Sequence, residues 1–120
     1  MNLREEPYHG KKNYETWSVN WWLTNDQEMC RRCRQLAVEA SHVVLDSSLV
    51  FDGNWTTAEA TRNLLAGALR ELVGELNPFA DQTSLFTDLM DSALGEVDWH
   101  EIAIEFLKDG SAALPPSTVL

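Results

Sequence analysis

Basic residues are almost missing from the second half of this chain. Between Glu71 and Asp109 there is a single one, Lys108, against ten acidic residues, so this segment carries nine of the ten net negative charges of the 120-residue protein. A surface of this sign repels the phosphates of nucleic acid. It can also imitate those phosphates toward a protein that normally binds nucleic acid. The charge therefore disfavours direct binding of nucleic acid and favours a basic protein partner.

Long apolar runs and the sequence motifs of common enzymes are also missing. No stretch approaches the ~20 apolar residues that a membrane-spanning helix needs, and the N-terminus lacks the basic and apolar regions of a secretory signal. We therefore expect a cytoplasmic protein without membrane contact. The sequence has no P-loop, no G-x-S-x-G and no dinucleotide-binding glycine motif. Nothing singles out a catalytic pair among the nineteen acids, so we predict a protein that is not an enzyme and needs no cofactor.

What the sequence does contain is apolar residues at helical spacing. The pattern predicts an all-α domain, a compact bundle of about five amphipathic helices. The expected helices cover roughly residues 14–24, 25–45, 57–76, 84–94 and 99–108. Their expected N-caps are Asn13, Thr24 or Asn25, Thr56, Thr83 or Ser84, and Asp98, with capping-box partners at Gln27 or Glu28, Glu59 and Glu101.

One domain is expected between residues 13 and 109. Residues 1–12, which contain Lys11 and Lys12, are predicted to form a flexible arm, and residues 110–120 a flexible tail, since Pro115 and Pro116 cannot continue a helix. A rival interpretation pairs residues 43–45 with residues 49–51 in a short hairpin. Helix is favoured at Val43 because the residues before it repeat with a period near 3.6.

Tryptophan is abundant, with five residues in the chain. Trp17, Trp21 and Trp22 lie on the expected first helix, Trp55 precedes the third and Trp99 opens the fifth. Rings of this size usually dominate a core, so we expect most of them to be buried. The alternative is that Trp21 and Trp22 form a hydrophobic interface with another protein. Base stacking on nucleic acid is disfavoured because it needs a positive groove.

Cys30 and Cys33 form a C-x-x-C motif inside the expected second helix. A redox pair normally opens a helix after a strand, and no strand is expected here. A zinc site needs two more ligands, but His9, His42 and His100 are scattered without metal-binding spacing. We therefore expect Cys33 to be a small core residue, Cys30 to lie at its margin, and no metal to be bound; a redox or zinc protein is the alternative.

The acidic side chains of the fourth and fifth helices are the candidate partner-binding residues. They are spaced three or four positions apart, which places each set on one helical face. No lysine or arginine at four-residue spacing offsets them, so we expect these carboxylates to lack basic neighbours. These residues are Asp88, Asp91, Asp98, Glu101 and Glu105. Some of this charge is explained by its place near helix starts, where carboxylates are favourable. The face either maintains solubility or binds a basic partner.

Two blocks of sequence resemble small phage and mobile-element proteins for which no activity is established. The first is Tyr14-Glu15-Thr16-Trp17 followed by Trp21/Trp22-Leu23-x-Asn25-Asp26, and the second is Val97-Asp98-Trp99-x-Glu101-Ile102-Ala103. The resemblance implies a mobile-element origin and a bacterial host, and transfers no site residues. It favours an anti-restriction or anti-CRISPR inhibitor that mimics DNA. The rival hypothesis is a homo-oligomeric structural or accessory protein joined through Trp21 and Trp22.

Overall fold

The computed structural model describes residues 7–45 and 56–117 of the chain. Within these ranges the protein contains five helices and no strand longer than an isolated bridge. The helices are α1 (Tyr14–Asn25), α2 (Gln27–Leu45), α3 (Thr57–Glu75), α4 (Leu85–Gly95) and α5 (Trp99–Ser117). The all-α prediction is confirmed. The rival hairpin is wrong, because residues 43–45 belong to α2; residues 46–55, with Trp55, lie outside the described part.

Side-chain caps start the helices largely where the sequence predicts them. The Asn13 side chain accepts a hydrogen bond from the backbone N–H of Thr16 at 2.8 Å. Thr56 and Glu59 form both hydrogen bonds of a capping box at 3.0 Å. Ser84 accepts from the N–H of Thr87 at 3.2 Å. Each cap satisfies backbone donors that the first helical turn leaves without partners.

The cap of α2 is Asp26, not the predicted Thr24 or Asn25. Asp26 is the single residue between α1 and α2, and its side chain accepts from the N–H of Met29 at 2.9 Å. Thr24 and Asn25 instead belong to the last turn of α1. Their side chains donate to α1 carbonyls, Thr24 to Asn20 at 2.8 Å and Asn25 to Trp21 at 2.8 Å. A side chain that donates to a carbonyl of the preceding turn is not available to cap the next helix.

The core lies between α2, α3 and α5. Leu23 at the end of α1 and Val97 just before α5 complete it. The leucine stripe of α3 is buried as expected at Leu65, Leu69 and Leu72, whereas Leu76 is half exposed. The other buried core residues are Leu23, Cys33, Ala37, Ala40, Ala66, Val97, Ile102, Ala103 and Phe106. None of the helices in the described ranges has the length and apolarity required to cross a bilayer.

The N-terminal turn, residues 8–11, packs on the domain. Tyr8 and Lys11 exchange two backbone hydrogen bonds of 2.8 and 2.9 Å, and His9 and Gly10 have φ of 47° and 82°, as a type I′ turn requires. The Tyr8 ring packs edge-on against Tyr14 and Trp17, with centroids 5.1 and 5.2 Å apart. The predicted arm is therefore part of the fold from Tyr8 onward.

The far end of α5 also differs from the expectation. The helix continues to Ser117, beyond the predicted end at Lys108 and through Gly110, Pro115 and Pro116, so the expectation that the two prolines exclude a helix is wrong. Glycine inside a helix costs only about 1 kcal/mol relative to alanine, which a helix anchored by buried Ile102 and Phe106 can accommodate. That the tail is flexible stays a prediction.

Candidate protein-binding surface

Glu105, one of the five predicted partner-binding residues, is already paired inside the protein. The Nζ of Lys11 donates to Glu105 Oε1 at 2.7 Å, and the lysine side chain is only 14% exposed. This hydrogen bond, with the positive charges of Lys11 and Lys108, holds the pKa of Glu105 below its ordinary value. Glu105 therefore serves to attach the N-terminal turn to α5.

Asp98 and Glu101 are likewise used by the fold. Asp98 caps α5, its Oδ1 accepting from the N–H of Glu101 at 3.1 Å. The Glu101 Oε1 accepts from the backbone N–H of Lys12 at 2.9 Å instead of completing a capping box. The expectation that the carboxylates of α5 lack basic neighbours is therefore wrong for Glu105, and Asp98 and Glu101 each accept a backbone hydrogen bond.

Asp88 and Asp91 on α4 are in a different situation. Both are exposed, and the ion pairs of the described residues involve neither of them. They are three residues apart on one side of the helix. Because the sequence has no lysine or arginine from residue 71 to residue 107, α4 is also flanked by acidic segments. Among the described residues, these two carboxylates are the part of the predicted acidic surface that is exposed and forms no ion pair.

The apolar side of α4 is also open to solvent. Leu85, Phe86 and Leu89 have the helical spacing of a core stripe, but in the structure they do not face the core. They are 67%, 66% and 59% exposed, and α4 contains no buried residue. Leu94, in the last turn, packs against the core. The apolar stripe of α4 thus has the same spacing as a core stripe, but within the described ranges no other element covers its first two turns.

The C-terminal end of α4 is held firmly in place. The side-chain amide of Asn13 donates to the carbonyl of Glu96 at 2.7 Å, and the N–H of Asp98 donates to the hydroxyl of Thr16 at 2.9 Å. Asn13 and Thr16 are themselves buried at the start of α1, and Val97 between the two contacts is buried as well. The fold therefore fixes α4 at one end and presents the other end to solvent.

Trp21 and Trp22 form a second exposed apolar site. They are 42% and 64% exposed, and their rings meet edge to face with centroids 5.1 Å apart. The expectation that the α1 tryptophans fill the core is wrong for this pair, because α1 turns Thr16 and Leu23 inward instead. Their exposure leaves the interface alternative open.

The arrangement of the cysteines and histidines does not indicate a redox, nucleophilic or metal site. Cys33 is fully buried, and burial raises the pKa of its thiol to about 12, with a smaller contribution from Cys30. Such a thiol is a poor nucleophile at neutral pH. The His100 ring bonds Asn63 Oδ1 at 2.7 Å across α5 and α3. Among the described residues, no group of three or more histidine, cysteine, aspartate or glutamate side chains could hold a metal ion.

Comparison of the chain with protein families, curated proteins and solved structures gave no match.

Proposed function

We propose that this protein is a non-enzymatic binding domain that uses the acidic surface of α4 to bind a basic protein. The observation that carries the proposal is the availability of Asp88 and Asp91, both exposed and without an ion pair among the described residues. Complementary charge accelerates association and orients the partner. The binding surface is narrower than the sequence suggests, since Asp98, Glu101 and Glu105 are engaged within the fold.

The partner that we propose is a host protein that binds nucleic acid. Carboxylates on a helix surface carry the same sign of charge as backbone phosphates and compete for the same lysine and arginine side chains. The resemblance to phage and mobile-element proteins makes a restriction or CRISPR complex the first class to examine. Occupation of its nucleic-acid site by α4 would be a counter-defence activity.

The test begins with capture of host proteins on the immobilised chain at low salt and their identification by mass spectrometry. Affinity for the captured protein is then compared between the Asp88→Lys/Asp91→Lys variant and Glu71→Lys/Glu75→Lys, which makes the same change in net charge on α3. We expect the α4 variant to bind much more weakly than the control, and wild-type affinity to fall with salt. Added DNA should displace the protein from its partner. Affinity that responds neither to the α4 substitutions nor to salt would rule out the electrostatic mechanism.

A second candidate function rests on the exposed tryptophans. Trp22 is 64% exposed beside Trp21, and tryptophan is the residue most enriched among interface hot spots. The pair would then join copies of the chain in a homo-oligomeric accessory protein. Light scattering separates the two functions: an oligomer that dissociates on Trp21→Ala or Trp22→Ala favours the accessory role, whereas a monomer favours the binding domain.

A further inference from the structure

The exposed apolar side of α4 is a feature of the described surface that charge alone does not explain. Leu89 lies four residues after Leu85 and three residues after Phe86, so the three side chains share one side of the first two turns. Each of the three is more than half exposed. Single exposed hydrophobic residues are ordinary, but a contiguous group on one helix is typical of an interaction site.

This side of α4 is presented by a defined scaffold. Ser84 caps the helix through the N–H of Thr87 at 3.2 Å, and Leu94 packs against the core at the other end. The following residues are tied to α1 by the two hydrogen bonds that Asn13 and Thr16 make. A partner would therefore meet a helix that is already formed, which reduces the entropy lost on binding.

The charges around this apolar side indicate which occupant fits it. Asp88 lies three residues from Leu85, so acidic and apolar side chains border one another on α4. A second copy of the chain would bring the carboxylates of two α4 helices together, and like charges at an interface are unfavourable. A lipid surface is disfavoured for the same reason, since amphipathic membrane helices carry lysine and arginine on their polar side. The complementary occupant is a protein with a basic border.

We propose that α4 is a docking helix whose residues Leu85, Phe86 and Leu89 insert into an apolar groove of a partner, while Asp88 and Asp91 contact lysine or arginine side chains at the groove's edge. This inference rests on the proposed function, because it uses the same two carboxylates, and adds to it the apolar contacts. Helices of this kind bind grooves through anchors at i, i+3 and i+4, which is the spacing from Leu85 or Phe86 to Leu89.

Three synthetic peptides provide defined probes of this surface. The first has leucine and lysine at helical spacing and so combines an apolar face with a basic border. The second replaces leucine with alanine and retains the positive charge. The third replaces lysine with glutamate and retains the apolar face. Binding of each labelled peptide is followed by fluorescence anisotropy against the full chain, at low and at moderate salt.

The variants separate the apolar contribution from the charge. We expect the wild-type protein to prefer the leucine–lysine peptide over both others. Phe86→Ser/Leu89→Ser should weaken that complex about tenfold or more, as truncation of anchor residues does, and leave the alanine–lysine peptide unaffected. Asp88→Asn/Asp91→Asn should weaken both basic peptides and remove their salt dependence. The matched controls are Val43→Ser, exposed on α2, and Glu71→Gln/Glu75→Gln on α3.

The outcomes distinguish the docking inference from the proposed function. Equal binding by wild type and Phe86→Ser/Leu89→Ser, or an equal loss with Val43→Ser, overturns docking through α4 and leaves the acidic surface standing. Loss with the apolar variant, but no effect of Asp88→Asn/Asp91→Asn, overturns the proposed function. If light scattering finds a dimer that Phe86→Ser/Leu89→Ser dissociates, the occupant is a second copy and the inference is wrong. Thermal unfolding of each variant confirms that it folds.

Discussion

The ammonium group of Lys11 lies 2.7 Å from a carboxylate oxygen of Glu105, across 94 residues of sequence. The hydrogen bond keeps the pKa of Glu105 below its ordinary value of 4.5. A carboxyl group whose pKa is lower in the folded state stabilises that state fully above its unfolded pKa. The stabilisation is lost as the pH falls through the pKa of the folded protein. The pair thus links the attachment of the N-terminal turn to pH.

Replacing Lys11 with methionine should lower the free energy of unfolding at neutral pH by roughly 0.2–1 kcal/mol, the range for ion pairs partly open to solvent. The difference from wild type should shrink as the pH falls well below 4.5, since Glu105 is then protonated in both proteins. Lys12→Met is the control, because Lys12 contributes only its backbone N–H to Glu101. Urea unfolding at both pH values measures the effect. If the loss of unfolding free energy is the same at both pH values, it arises from packing of the aliphatic part of the Lys11 side chain and not from the ion pair.

Asn13→Ala should destabilise the protein by about 2 kcal/mol or more. The substitution removes an N-cap and also removes the part-buried hydrogen bond to the Glu96 carbonyl, two effects that add. Thr56→Ala removes an exposed cap and should cost only ~1 kcal/mol. Asn13→Asp keeps the acceptor for Thr16 but loses the amide that donates to Glu96, and should fall between the two. Equal losses for Asn13→Ala and Thr56→Ala would show that the contact with Glu96 contributes nothing.

The two cysteines should differ in reactivity. Cys33 is fully buried with its pKa raised to about 12, whereas Cys30 is partly exposed. A thiol reagent such as DTNB should label Cys30 in the native protein and Cys33 only after unfolding. Cys33→Ser should cost about 1–3 kcal/mol because it places a hydroxyl in an apolar core, and Cys30→Ser much less. Rapid labelling of both thiols in the native state, or bound zinc on elemental analysis, would revive the redox or metal hypothesis.

Two phenylalanines with similar sequence surroundings should behave in opposite ways. Phe106 is 1% exposed and Phe86 is 66% exposed. Phe106→Ala should cost about 3–5 kcal/mol through lost burial and a cavity. Phe86→Ala should change stability by no more than about 0.5 kcal/mol. Thermal unfolding distinguishes them, and a large loss for Phe86→Ala would mean that α4 is packed in solution and has no free apolar side.

Much of the helical architecture follows from short-range chemistry that the sequence displays directly. Asn13, the Thr56 and Glu59 pair, and Ser84 act as caps at the predicted places. Capping and the 3.6-residue repeat depend on residues within one or two turns, so they can be recognised without the fold. The shift from Thr24 or Asn25 to Asp26 shows the limit, because competing hydrogen bonds to α1 carbonyls decide between neighbouring caps.

The role of each acidic residue could not be predicted in this way. Glu101 and Glu105 are carboxylates at helical spacing among apolar residues, as are Asp88 and Asp91. What separates them is the N-terminal turn, which reaches α5 from the other end of the chain. Lys11 and Lys12, the only basic pair near the N-terminus, indicate that an acidic contact is available. Nothing in the neighbouring sequence identifies Glu101 and Glu105 as the residues they contact.

The sequence by itself determined the number of helices, most of their starting points and the excess of negative charge, since each depends on near neighbours or on composition. Only the tertiary structure decided which apolar stripes are covered. Leu69 and Leu89 occupy equivalent stripes on α3 and α4, yet the first is fully buried and the second is 59% exposed. Periodicity shows which side chains share a face of a helix; whether that face meets another helix depends on long-range packing.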